Sequence, residues 1–279
     1  MDAAAETLNP AQPLVSVVMS VYNGEAFLQQ AIDSILQQTY TNIQFIIVDD
    51  NSNEETKKIL FGLKDSRVKI IYNVHNRGLT KNLNEALPHC KGAYIARMDA
   101  DDISLPDRIE KQVTFLEHYN HLAGTAGWIE LINEKGVATG VWDDERAYNT
   151  AKELTNILPQ KNVIAHPTVM LRANVLKKYS YNELQKHSQD WDLWLRLFAD
   201  GLVIEKMKEV VLQYRVHTSS VTSLHKNKTA FQKINETYTN YFQQVKTWNE
   251  FNKKVKANYQ KNKGMMFLQS IKKIFIKSN

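Results

Sequence analysis

Cysteine is nearly absent from this chain of 279 residues, where Cys90 stands alone. A single thiol cannot close an intrachain disulfide, which excludes the stapled secreted scaffolds and fits a reducing compartment. No apolar run approaches the roughly 20 residues that cross a bilayer. Met1 to Pro13 includes Asp2 and Glu6 and no basic side chain, so it lacks the positive start of a secretory signal. Residues 1–12 are expected to be a flexible leader. Neither Gly-x-Gly-x-x-Gly nor a Walker lysine motif occurs, which removes the phosphate-cradling loops of dinucleotide-binding and P-loop proteins. Internal repeats are missing as well. A cytoplasmic globular protein is the expectation that remains.

The composition supports it: 43% of residues are apolar and 10% aromatic, ample for a core. The formal charge of +5 hides an asymmetry. From Lys226 to Asn279 there are 12 lysines, no arginine and two acids, a net of +10, so the preceding residues carry −5. A mildly acidic body with a strongly basic tail suggests two tasks and places a boundary near residue 226.

Short β-branched runs, "LVSVVMSV" (14–21), "IQFIIV" (43–48), "VKIIY" (68–72) and "AYIARM" (93–98), predict buried strands. Helical spacing follows at 26–37, at 79–87 and after "SNEE", where Ser52 and Glu55 form the pattern of a capping box. Strands alternating with helices predict an α/β fold with a doubly wound, mostly parallel sheet, whose ligands bind beyond the carboxyl ends of the strands. "VYN", "DDNS", "HNRG" and "MDADD" all fall there. Farther on, a helix at 105–119, strands near 126–132, 137–142, 167–172 and 210–217, and a helix over 191–200 are expected. The tail is expected to be helical.

Asp99, Asp101 and Asp102 crowd into four positions after the fourth strand. Carboxylates so close repel one another, and alternate hard oxygens on a tight turn suit Mg²⁺ or Mn²⁺. The competing reading, a cap for the helix near Pro106, is assigned to Asp102 only. Asp49 and Asp50 either satisfy turn backbone or accept hydrogen bonds from a nucleobase or ribose. His217 in "YRVH" offers an imidazole for a metal or diphosphate site, against a purely structural histidine. His166 reads as a buried, hydrogen-bonded side chain, Trp191 as core and Trp194 as rim.

"VSVVMSVYNGEAFLQQAIDSILQQTY", "IIVDDNSNEET", "NRGLTKNLNEAL", "GAYIARMDADDISLPDR" and "QDWDLWLRL", in this order, resemble the inverting family-two glycosyltransferases of the GT-A (Rossmann-like) fold, over roughly residues 13 to 220. The resemblance implies a transferase domain over 13–225 that moves a sugar from a nucleotide-diphospho-sugar, expected to be a UDP-sugar, to an acceptor hydroxyl in bacterial surface glycan assembly. By that resemblance Ser20, Val21, Tyr22 and Asn23 line the nucleotide pocket and Asp50 meets uracil. Arg77 lies beside the base or diphosphate, Asp99 sits near ribose and metal, and Asp101 ligates the metal. Asp190 is the implied catalytic base, with Gln189 where the family often has glutamate. Asp192, in the first helical turn, is its rival, and helix capping is the bland alternative for Asp190.

The extension over 226–279 ends in "GMMFLQSIKKIFIKSN", whose apolar residues at helical spacing with interleaved lysines suit an anionic membrane surface. Attachment at the cytoplasmic face of the inner membrane fits a saccharide or lipid-linked saccharide acceptor. Tyr238, Tyr241, Phe242, Trp248, Phe251 and Tyr259 among the lysines raise nucleic acid as a third partner, but no recognised motif accompanies them, so it ranks last. Two other readings compete. One is a nucleotidyltransferase making nucleotide sugars, which should show a Gly-rich loop that "VYNGE" does not supply. The other is a non-catalytic membrane- or nucleic-acid-binding module.

Overall fold

A computed structural model describes residues 12–185, 187–218, 230–245 and 248–277. Most of the leader, residues 1–11, and the side chains of 264–279 lie outside the described residues. The four apolar runs form β1 (Val15–Val21), β2 (Ile43–Asp49), β3 (Val68–Tyr72) and β4 (Tyr94–Asp99), parallel in the order β3-β2-β1-β4. β1 and β2 are apolar on both faces because helices cover both. Val15, Val17 and Met19 meet α1 (Leu28–Leu36), α2 (Glu54–Gly62) and α4 (Arg108–His118). Val18, Ile46 and Val48 point to the opposite face, where α3 (Leu79–Ala86) packs. This is the two-residue alternation of a strand buried on both faces.

The sheet continues through β5 (Ile103–Ser104), β6 (Gly124–Ile132), β7 (Ala138–Val141), β8 (Met170–Arg172) and β9 (Ile204–Arg215). Past β4 the order is β8-β6-β9-β5, with β7 on β6. β8 runs antiparallel to β4 and β6, while β6 and β9 are parallel. At the β6–β8 junction a Cβ on Gly124 would stand 2.3 Å from Leu171 Cδ2 and 2.6 Å from Met170 O, so only glycine allows the strands this approach. Besides α4, which follows β5, the helices between these strands include α5 (Asp143–Arg146), α6 (Ala151–Ile157), α7 (Ala173–Tyr179) and α8 (Gln189–Ala199).

Three local expectations are corrected. Asn53, not Ser52, caps α2, accepting from Thr56 N at 2.9 Å, because Ser52 Oγ is taken by Asn23 N. Asp102 does not cap α4: that helix begins at Arg108, and Asp102 instead accepts from Arg215 N at 2.9 Å. Trp194 is fully buried rather than at the rim, since the face of α8 it shares is itself covered.

That cover is α9 (Ala230–Phe242) and α10 (Glu250–Lys277). Tyr238 and Tyr241 of α9, and Phe251 and Val255 of α10, lie in one buried cluster with Trp191, Trp194 and Leu195. Tyr238 Oη donates to Pro159 O at 2.7 Å, and Asn249 Nδ2 to Ala199 O at 2.5 Å. The near half of the lysine-rich extension therefore seals the core. Phe251→Ala is expected to cost about 3–5 kcal/mol in urea unfolding, the range for a buried phenylalanine. A helix hanging free of the domain would leave the unfolding midpoint unchanged.

Candidate active site

The backbone register brings the parallel strands to a common edge. Val21 faces Asp49, Asp49 faces Tyr72, and Ser20 faces Asp99. Chain order reverses between β1 and β4, and a crevice forms at such a switch point because the loops on either side depart in opposite directions. Asn23 and Asn51 both adopt left-handed backbone, with φ of 51° and 61°, a conformation asparagine tolerates. Asn23 N donates to Ser52 Oγ at 3.1 Å and Asn53 N to Asn23 Oδ1 at 2.8 Å, stitching the β1 and β2 loops together. Tyr22 is left 55% exposed beside them.

Asp50 is buried, and both its oxygens are taken up. Oδ1 accepts from Arg77 N (2.7 Å) and Asn73 Nδ2 (3.2 Å), and Oδ2 from Gly78 N (2.8 Å). It thereby fixes the loop after β3. Asn73 also donates to Asn82, which donates to Ser20 Oγ at 2.9 Å. The Arg77 guanidinium turns outward to Glu85 at 2.7 Å. Ser20, Asn23, Asp50 and Arg77 thus belong to one connected rim.

Ligand oxygens of Asp99, Asp101 and Asp102 lie within 4.8 Å of one another. Asp102 is buried with Oδ2 lacking any hydrogen-bond partner. Burial and the charges of Asp99 and Asp101 push its carboxyl well above the usual range. His217 Nε2 stands 2.9 Å from Asp101 Oδ2, so β9 delivers an imidazole to the same point. Hard carboxylate oxygens with an imidazole, one buried oxygen orphaned, are a donor set suited to Mg²⁺ or Mn²⁺. These residues fit such an ion.

One built-in cation answers part of this charge. Arg97 lies two residues before Asp99 on the same face of β4, is 5% exposed and pairs with the Asp99 carboxylate. Burial raises the carboxyl of Asp99 despite Arg97, with Asp101 and Asp190 adding to the rise. Asp190, in the first turn of α8, is raised by burial and restrained by the Trp191 backbone N–H and by Asn162. Asn162 Nδ2 donates to Asp190 Oδ2 at 2.7 Å. Ser188, the residue directly before α8, holds left-handed backbone at φ 54°. His166 is buried and bonded to Tyr181 Oη at 2.9 Å, as its sequence context suggests, and burial beside Arg97 keeps it neutral.

Asp192 has a different setting. It is fully buried, ion-paired to Arg196 at 2.9 Å and within 3.5 Å of Gln244, so it anchors α8 to the C-terminal helices. Sequence reading passed over Arg97, Asn162 and Asn82. A charge inside an apolar strand, two residues before an acid, could have singled out Arg97. Nothing local marks Asn162, which reaches Asp190 across 28 positions.

The segment carrying Asn162 is pinned from below. Glu145 is fully buried, accepts from Ile129 N at 3.0 Å and also interacts with the Ala165 backbone. Lys206 Nζ reaches the carbonyls of Glu145 and Val163, the latter at 2.9 Å.

Residues 16–180 match the family model described as glycosyl transferase family 2. The chain is 37% identical over 213 residues to the O-antigen biosynthesis glycosyltransferase WbnJ of Escherichia coli, covering 74% of this chain and 81% of the relative. It is 33% identical over 212 residues to WfaP of the same species, named as a UDP-Glc:alpha-D-GlcNAc-diphosphoundecaprenol beta-1,3-glucosyltransferase, with 75% and 80% covered. Among solved structures, S. aureus TarS 1-349 in complex with UDP-GlcNAc superposes with a TM-score of 0.69 at 16% identity, over 89% of this chain and 72% of that one. That likeness extends the fold assignment to the GT-A arrangement.

Burial lifts Glu145 to about 7. In the unfolded chain the group titrates near 4.5, so the folded state takes up a proton between those values and loses stability as pH rises through 7. Glu145→Gln removes the titration and keeps an acceptor for Ile129. Relative to wild type, it should gain about 1–3 kcal/mol between pH 4.5 and pH 8, read from urea unfolding at the two pH values.

Proposed function

The chain belongs to glycosyl transferase family 2 and is a glycosyltransferase, and on that premise we propose that it is metal-dependent and inverting, moving a sugar from a UDP-sugar to a saccharide or lipid-linked saccharide hydroxyl. The observation that carries this reading is the convergence of Asp99, Asp101, His217 and Asp190 on the crevice between β1 and β4. The WfaP relative, whose name gives a UDP-linked donor and a diphosphoundecaprenol-linked acceptor, supports the donor and acceptor classes. The likeness to WbnJ supports a role in bacterial surface glycan assembly.

Each residue has a proposed part. Ser20, Val21, Tyr22 and Asn23 line the nucleotide with the β1 loop, and Asp50 with Arg77 takes the uracil and diphosphate side. Asp99, Asp101 and His217 would hold Mg²⁺ or Mn²⁺. A bound divalent ion supplies Lewis-acid stabilisation for the charge that gathers on the departing diphosphate. Asp190 removes the proton of the acceptor hydroxyl on the face opposite the leaving group. Its raised proton affinity suits a general base, and Asn162 holds the carboxylate in place through Oδ2.

We assign residues 13–225 to the transferase domain and 226–279 to an extension that attaches it, peripherally, to the cytoplasmic face of the inner membrane. Among the described residues no helix is long and apolar enough to cross a membrane. The net +10 of the extension supports electrostatic attachment to anionic lipid, worth on the order of 1 kcal/mol per lysine and weakened by salt.

Two experiments test these roles. UDP release from a panel of UDP-sugars with Mn²⁺ and a lipid-linked acceptor should be lost in Asp190→Asn by roughly 10²–10⁴-fold, with donor binding retained. Near-normal turnover in that variant, beside a dead Asp192→Asn, would identify Asp192 as the base. Deleting residues 264–279 should abolish salt-sensitive co-sedimentation with anionic vesicles and preserve transfer to a soluble acceptor. That deletion leaves the docked Phe251 and Val255 in place, so persistent vesicle binding would locate attachment elsewhere.

A further inference from the structure

Arg215 ends β9, two residues before His217, and is 2% exposed. Among the described residues its side-chain hydrogen bonds all go to neutral oxygens rather than to a carboxylate. Nε donates to Asp101 O at 2.8 Å, Nη1 to Asn133 O and Glu134 O at 3.1 Å each, and Nη2 to Gln30 Oε1 at 2.9 Å. Its backbone N–H donates to Asp102 Oδ1 at 2.9 Å. The guanidinium stacks 4.5 Å from the Phe27 ring centroid, and the other partner of that ring is the His217 imidazole, 5.0 Å away and tilted by 57°.

Burying a cation without a contacting anion is unfavourable unless its donors are satisfied and negative charge lies near. Here the planar fork is filled by carbonyls from two separate turns, and the acid cluster lies directly behind one of them. A lysine ammonium, with its compact point charge, could not span these acceptors. The side chain thereby fixes the main chain of Asp101 and, through Phe27, the plane of His217, while the backbone N–H of the same residue holds one oxygen of Asp102. With Asp102 Oδ1 occupied, the oxygen left over is Oδ2, which has no protein partner.

We infer that Arg215 is the positioning residue of the divalent-cation site. It does not ligate; it sets Asp101, Asp102 and His217 in place before the ion arrives and locks the β6–β7 turn to them. This rests on the reading of the acid cluster as a cation site. Groups that orient metal ligands typically change affinity by 10–100-fold when altered.

The test uses the full chain and Mn²⁺ alone, followed through the EPR signal of the free ion. Arg215→Lys should weaken Mn²⁺ binding by roughly tenfold or more while circular dichroism and the melting temperature stay near wild type. Phe27→Leu should weaken it several-fold through His217. Mn²⁺ affinity within twofold of wild type in both variants overturns the inference. Should Arg215→Lys fail to fold, Phe27→Leu decides by the same criterion. Asp101→Ala separates the two levels. If Mn²⁺ binding survives that change, the cluster is not the cation site and both readings fall. If it is lost while Arg215→Lys and Phe27→Leu bind normally, only the positioning role falls.

Discussion

The carboxylates of Asp99, Asp101, Asp102 and Asp190 crowd together, so that Asp101 and Asp190 add to the rise in proton affinity that burial gives Asp99, and Asp99 and Asp101 to that of Asp102, and much of the surrounding structure compensates for that crowding. Arg97 sits beneath them as a fixed counter-charge. Asn162 and the Trp191 N–H restrain Asp190, and the Arg215 backbone restrains Asp102. What these groups leave uncompensated is a net negative point at a crevice. A divalent ion would be drawn to that residual field, and the positive charge it brings would in turn suit a diphosphate.

The sheet makes the crowding possible. Parallel strands end together, so acids placed at strand ends in sequence are neighbours in space, here through the Ser20–Asp99 and Val21–Asp49 register. The rest of the rim is joined by side-chain hydrogen bonds, many of them to backbone N–H groups. Asp50 holds the β3 loop, Ser52 and Asn53 hold the β1 loop, and Asn82 joins them from beneath. Such bonds satisfy donors that loops at a strand edge would otherwise leave unpaired, and they make the rim rigid where a ligand must be met.

The C-terminal helices join this design from the other side. Gln185, in the loop leading to Asp190, is fully buried. Its amide meets Thr237 Oγ1 at 2.9 Å and Asn240 Nδ2 at 2.6 Å on α9, and its carbonyl accepts from Thr80 of α3 at 3.3 Å. Asn84 of α3 grips Tyr181 through its backbone. The loop leading to the proposed base is thus clamped between a helix of the parallel sheet and the first helix of the extension. A basic, aromatic segment that composition sets apart serves the site as scaffold.

Short continuous apolar runs and the clustering of Asp and Asn after them were enough to indicate the parallel sheet and the edge where the candidate site lies, because both are local patterns. The acid triplet was legible for the same reason. Glycine at 124, the burial of Trp194, the role of Asp102 and the separate duties of Asp190 and Asp192 were not. Each depends on what stands opposite: Leu171 against Gly124, α9 and α10 over Trp194, the Arg215 N–H on Asp102, and Asn162 or Arg196 on the two acids of α8. Asp190 and Asp192 are chemically identical and two positions apart, so a helix turns them about 200° from each other. Only tertiary packing decides which one meets the crevice and which one is sealed beneath the C-terminal helices.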